Sequence, residues 1–92
     1  MIRRRLVVIG RVQNVFYRDW FVEQATALGL DGWVRNRADG SVEAVVQGPG
    51  ETVEAMVARA WQGSPAARVA DVRVGDDAPG EPLRGFAKRP TA

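Results

Sequence analysis

The segment Gly10-Arg11-Val12-Gln13-Asn14-Val15-Phe16-Tyr17-Arg18 joins a β-rich run to a helical one, and that placement gives it chemistry. A turn feeding a helix leaves several backbone N–H groups without intrahelical partners, and the aligned peptide dipoles favour an anion at that end. Arg18, where the helix begins, is a poor choice for stability, because a cation there opposes the dipole by a few tenths of a kcal/mol up to ~1. An anionic ligand reverses that penalty. The planar guanidinium can hold two phosphoryl oxygens at once, which an ammonium cannot. The competing reading is a solvated surface arginine, with Asp19 pairing with it or capping the helix.

Other routes to chemistry are closed or weak. The chain has no cysteine and no histidine, which removes thiolate nucleophiles, disulfides, Ser-His-Asp and Cys-His arrangements and the commonest metal ligands. Catalysis therefore falls to positioning and electrostatics, or to carboxylates. Asp71, Asp76, Asp77 and Glu81 sit on a late strand and loop, where solvation accounts for them, and Asp76-Asp77 is a weak metal signal. No metal and no cofactor are expected.

Thirteen Lys+Arg against eleven Asp+Glu leave a surplus of +2 despite a pI near 9.9, too little to imply nucleic acid. All the cations but Lys88 are arginine, so individual arginines acquire roles only by position. With 92 residues, 46% hydrophobic and 26% charged, the chain reads as one globular domain, 1–92, with one modest core. Leu6-Val7-Val8-Ile9 after Arg3-Arg4-Arg5 is too short for a signal peptide or a membrane span. The expectation is a cytoplasmic monomer that binds neither nucleic acid nor membrane.

The elements that must position the loop follow from periodicity. Ile2 to Gly10 reads as a strand within a sheet. Arg18 to Leu28 turns helical, with Phe21, Ala25 and Leu28 on one side, and Gly29 fits the left-handed residue past its end with Leu30 as hydrophobic follower. Gly32 to Arg37 and Ser41 to Gln47 form a hairpin around Ala38-Asp39-Gly40. After Gly48-Pro49-Gly50 a second helix carries the stripe Val53, Met56, Val57, Ala60 and Trp61, ended by Gly63-Ser64-Pro65. Arg68 to Gly75 reads as an irregular strand, Asp76 to Pro82 as a turn-rich loop and Leu83 to Lys88 as a short last strand. The order β-α-β-β-α-β plus a terminal strand is the α+β, ferredoxin-like split βαβ arrangement, with two helices on one face of an antiparallel sheet.

Gly10-Arg11-Val12-Gln13, Val15, the aromatic Tyr17 and Arg18 resemble the phosphate-binding loop of the acylphosphatase family. Gly32-Trp33-Val34-Arg35-Asn36, with Gly40, Val42 and Gly48, resembles that family's second motif at the family's spacing. The resemblance covers essentially the whole chain, including Gly48-Pro49 and Ser64-Pro65-Ala66. It implies a metal-free hydrolase that cleaves the carboxyl-phosphate bond of an acyl phosphate by direct attack of water, without a covalent intermediate. Arg18 would hold the transferring phosphoryl group with the N–H groups of Gln13, Asn14, Val15, Phe16 and Tyr17. Asn36 would orient the attacking water, and inorganic phosphate would be both product and inhibitor. Phosphoryl transfer suits this equipment, since its loose transition state asks for alignment and charge stabilisation.

On its own, Asn36 reads as a turn residue at a strand end, with Arg35 and Arg37 solvated on the opposite face and Trp33 packing or rimming the site. The chain departs from the family at Asn14, usually Gly, and Tyr17, usually Phe. A Gly position implies positive φ, which Asn tolerates best among residues with a Cβ, so a preserved loop is expected. The terminal aromatic whose carboxylate braces the arginine in some members is not evident after Phe86. Two other functions share the topology: a phosphate-binding module without turnover, and an RNA-binding sheet. The latter needs aromatics on the central strands, and Arg3 to Gly10 and Ser41 to Gln47 have none.

Overall fold

The computed structural model describes residues 1–77 and 80–92. Its elements are β1 (Ile2–Arg11), α1 (Tyr17–Ala27), β2 (Asp31–Asn36), β3 (Val42–Gly48), α2 (Gly50–Gln62), β4 (Arg68–Asp76) and β5 (Phe86–Lys88). The strands form one sheet in the order β4-β1-β3-β2-β5. The first four pair antiparallel, and β5 adds in parallel to β2, Gly32 opposite Phe86 and Val34 opposite Lys88. The sheet is therefore mixed at its β5 edge, where the sequence had pointed to an antiparallel sheet. The last strand is also shorter than Leu83 to Lys88. Residues 78 and 79 of the expected Asp76 to Pro82 loop lie outside the described residues, and Asp76 closes β4.

One sheet face is covered by the helices. Alternation sends Leu6, Val8, Val34, Val42, Ala44, Val46 and Val72 to that face, against Phe21 and Ala25 of α1 and Val53, Met56 and Ala60 of α2, all buried. Burying each of the larger of these contributes about 1.5–3 kcal/mol. Val57 is only partly covered, and Trp61, expected on the same stripe, is 47% exposed. At 3.6 residues per turn Trp61 falls roughly 90° from the stripe's centre, beyond the sheet's reach.

Helix α1 ends as Gly29 predicts. Its φ is 70°, and its N–H donates to Thr26 O (3.0 Å) while Leu30 N–H donates to Ala25 O (3.0 Å), the paired bonds of a Schellman ending. The hairpin closes through Arg37 N–H to Ser41 O (2.9 Å), with Asp39 Oδ1 accepting from the Ser41 N–H (2.9 Å) and hydroxyl (2.6 Å). The irregularity of β4 is a bulge: Ile9 pairs with Asp71 and Gly10 with Val69, leaving Ala70 extra. Gly10 is required there, because a Cβ would lie 2.3 Å from Arg68 O and its φ is 130°. That bulge releases β1 into the loop ahead of α1.

Candidate active site

The loop Val12 to Phe16 is held in an uncommon backbone shape. Asn14 has φ 60° and Phe16 φ 59°, two left-handed residues separated by Val15. Asn14 thus takes the conformation expected of a glycine substitute. Phe16 does so although a bulky side chain disfavours it. Alternating hand turns successive N–H groups toward one side and builds an anion-binding concavity. Phe16 is also the N-cap of α1, and among the described residues no side chain caps that helix. Among the described residues, none of the N–H groups of Gln13 to Tyr17 donates to a backbone carbonyl or a side chain.

Contacts across the fold tie the loop in place. Gln13 Nε2 donates to Arg37 O (2.8 Å) and Ser41 O (2.9 Å), linking the loop to the β2–β3 hairpin just past Asn36. The Ser64 hydroxyl, 2% exposed, donates to Val15 O at 2.8 Å. Tyr17 is buried, packs its ring at a tilt against Trp20 and Phe21, and donates its hydroxyl to Ala60 O at 2.8 Å. Burial pushes the phenol's pKa up, so it stays a donor, and the hydroxyl absent from the family's usual Phe is satisfied.

A cavity of about 350 Å³ opens at this helix start, lined by Val12, Asn14, Phe16, Tyr17, Arg18, Asp19 and Lys88. Arg18 is half-buried and the second residue of α1. Among the described residues no carboxylate pairs with it, whereas Lys88 Nζ reaches Asp19 Oδ1 at 2.9 Å. That hydrogen bond from Lys88 is the main reason the Asp19 carboxyl is held below the usual carboxylate range, and the charge of Arg18 adds to it.

Asn36 ends β2 on the helix-covered face, beyond Val34. It is 7% exposed, and its buried Oδ1 has no hydrogen-bond partner among the described residues. A buried acceptor left without a donor costs about 1–3 kcal/mol. The structure thus brings Asn14, Phe16, Tyr17 and Arg18 together on one cavity. Gln13 turns its side chain to the hairpin, Val15 packs its side chain in the core, and Asn36 stands beside the loop without lining that cavity. The tail past β5 runs along β2 to this point, with Ala92 N–H donating to Asn36 O (3.0 Å) and Ala92 O accepting from Ala38 N–H (2.9 Å).

The open sheet face holds a second charged group that the sequence did not single out. Glu43, 4% exposed, accepts from Arg35 Nε (2.7 Å) and from Arg5. Burial pushes its pKa up, but the two guanidinium groups outweigh burial and hold the carboxyl below its usual range. The guanidiniums of Arg35 (4.7 Å) and Arg89 (4.8 Å) both lie over the Trp33 ring. Trp33 therefore packs rather than rims the site, and Arg35 is bound up in structure rather than solvated. The arginines of β1 and β2 were the available signal, since a carboxylate on a strand between them is favoured as a cross-strand partner.

Among the described residues, no three His, Cys, Asp or Glu side chains cluster as metal ligands, and no helix is long and apolar enough to cross a membrane.

Comparison with known proteins follows the same geometry. The family model described as acylphosphatase matches residues 4–88. An acylphosphatase of Rhizorhabdus wittichii is 59% identical over 98% of this chain and 90% of its own length, and one of Rhodospirillum rubrum 53% identical over 91% of each. The crystal structure of acylphosphatase from Bacillus subtilis superposes with a TM-score of 0.92 at 35% identity, covering 97% of this chain and 99% of that one.

Proposed function

The chain belongs to the acylphosphatase family and is an enzyme hydrolysing acyl phosphates; from that premise we propose that Arg18 and the N–H groups of Gln13, Asn14, Val15, Phe16 and Tyr17 bind the phosphoryl group, while Asn36 aligns the water. The observation that carries this reading is a guanidinium that, among the described residues, has no carboxylate partner, half-buried at a helix start where no described side chain caps the helix and no described group accepts from the preceding amides. The dianionic phosphoryl group meets partial positive charge from the amides and the dipole, and full charge from Arg18.

The reaction then needs alignment more than a strong base. The side-chain amide of Asn36 holds the water so that one lone pair of its oxygen faces phosphorus. Attack forms the new P–O bond as the bond to the acyl oxygen breaks, the carboxylate leaves without needing a proton, and a phosphoryl oxygen takes up the water's proton. Charge gathering on the phosphoryl oxygens in the loose transition state is stabilised by donors already in place. No metal and no covalent intermediate enter. We place this activity in a cytoplasmic monomer, with inorganic phosphate as competitive inhibitor.

Purified protein assayed with benzoyl phosphate tests the reading. Turnover unaffected by EDTA and competitively inhibited by phosphate is the expected result. Turnover lost on chelation would overturn the metal-free mechanism, and phosphate binding without turnover would identify a binding module instead.

A further inference from the structure

Ser64 belongs to the Ser64-Pro65-Ala66 step singled out in the sequence, yet the mechanism assigns it nothing. It follows α2, far along the chain from the loop, is 2% exposed, and donates its hydroxyl to Val15 O at 2.8 Å. The acceptor matters because of the peptide it belongs to. In a trans peptide the C=O of one residue and the N–H of the next point in opposite directions, and the described chain has no cis bonds. Fixing Val15 O toward Ser64 in the core therefore turns the Phe16 N–H away from the core.

The same peptide joins a buried residue to a strained one. Val15 is 7% exposed, whereas the Phe16 side chain is 80% exposed and its backbone sits at φ 59°. An exposed ring contributes little packing that could hold a residue in the left-handed region, which is uphill for any residue with a Cβ. Rotating the Val15–Phe16 peptide by half a turn would relieve Phe16, but would aim a carbonyl oxygen where the N–H now points. In a pocket for a phosphoryl group that exchange replaces a donor by a repelling acceptor.

We propose that Ser64 is a positioning residue for the phosphoryl group: its hydroxyl holds the Val15–Phe16 peptide in the strained orientation that keeps the Phe16 N–H facing the anion. This rests on the reading of the loop as the phosphate cradle. Ser64 touches no reacting atom and acts through the peptide alone. Persistence of backbone strain where surrounding structure fixes it is the general pattern at functional sites.

The test is titration of ¹⁵N-labelled protein with inorganic phosphate. In the unaltered protein the Phe16 amide should move strongly downfield. In Ser64→Ala that shift should collapse while the Asn14 amide still responds, with phosphate binding about tenfold weaker, as losing one hydrogen bond to a charged group implies. Ser64→Cys keeps the bulk but supplies a weaker donor, and should follow Ser64→Ala. A full Phe16 response at unchanged affinity in Ser64→Ala overturns the proposal, as does a variant that only lowers the melting temperature. Should Ser64→Ala fail to fold, a Phe16 amide unmoved at saturating phosphate in the unaltered protein overturns it equally. Arg18→Ala separates the two readings: if it binds phosphate as tightly as the unaltered protein, the cradle itself is wrong, and if it alone loses binding, only the role of Ser64 falls.

Discussion

On the open face of the sheet Arg5 and Arg35 close on the buried carboxylate of Glu43, and Arg35 also lies over the Trp33 ring. At the start of α1 Arg18 borders a cavity with no carboxylate paired to it among the described residues. The side chain is the same, but its surroundings differ. A guanidinium whose charge is compensated within the fold stabilises that fold and has little left for a ligand. One placed against unpaired amides, at the helix end that repels it, gains only when an anion arrives. On the proposed reading the distinction separates structural from functional arginines in a chain where every cation but Lys88 is arginine.

The sharpest way to break the contrast is Arg18→Ala. Loss of a charge-stabilising arginine in phosphoryl transfer costs on the order of 10³-fold or more, so kcat/KM toward benzoyl phosphate should nearly vanish while the melting temperature holds or rises. Arg18→Lys should recover little, because an ammonium cannot bridge two oxygens. Arg35→Ala should do the reverse, lowering thermal stability with activity nearly intact. An Arg35 variant as inactive as Arg18→Ala would dissolve the division between the two regions.

Asn36→Ala is next in size. Removing one preorganised group that acts on the reacting atoms costs on the order of 10² in kcat. The effect should fall on kcat rather than on the phosphate inhibition constant, because a water-aligning group contributes little to ground-state anion binding. Equal losses in both would move Asn36 into the cradle with Arg18.

These residues differ in how far the sequence could show them. Asn14, Arg18 and Asn36 lie in short motifs beside local signals, a strand ending in glycine, a helix start and an Asp-Gly hairpin, and neighbours in sequence suffice to place them. The stripe Val53, Met56 and Ala60 was legible for the same reason, since one helix repeat defines it. Glu43 was not, because its surroundings come from three strands. Arg35 lies directly opposite it on β2, while Arg5 on β1 is paired with Val45 and reaches Glu43 diagonally, so its role appears only once register is known. Ser64 bracing Val15 and Gln13 reaching the hairpin are likewise contacts across the fold. The left-handed Phe16 was illegible because its residue type argues against that backbone. The parallel docking of β5 was hidden by its brevity.

Glu43→Gln sharpens the structural side. Replacing a carboxylate that accepts from two guanidiniums should cost on the order of 1–3 kcal/mol, which for a domain of this size lowers Tm by roughly 5 °C or more, with kcat unchanged. The pH dependence has a definite sign. The folded carboxyl is held below its usual range, so its contribution is complete above the unfolded value of about 4.3 and is lost as pH falls from there through the folded value. The variant should therefore show a shallower acid limb than the unaltered protein in urea unfolding from pH 6 to pH 3. Identical limbs would mean that the two arginines do not depend on Glu43.

Lys88→Ala probes the place where the two situations meet. Lys88 and Asp19 form a compensated pair, with Lys88 Nζ 2.9 Å from Asp19 Oδ1, yet both line the cavity that Arg18 borders. Without Lys88 the Asp19 carboxylate is left beside Arg18, whose charge already helps hold it ionised, and it opposes an incoming phosphate. The pair is exposed, so the effect is small: about two- to threefold weaker phosphate inhibition at low ionic strength, in keeping with the modest strength of surface pairs. It should vanish near 1 M salt, where the screening length is about 3 Å, and Asp19→Asn in the same chain should restore the original affinity. A loss that survives high salt would make Lys88 a direct ligand of the anion, a second uncompensated cation beside Arg18.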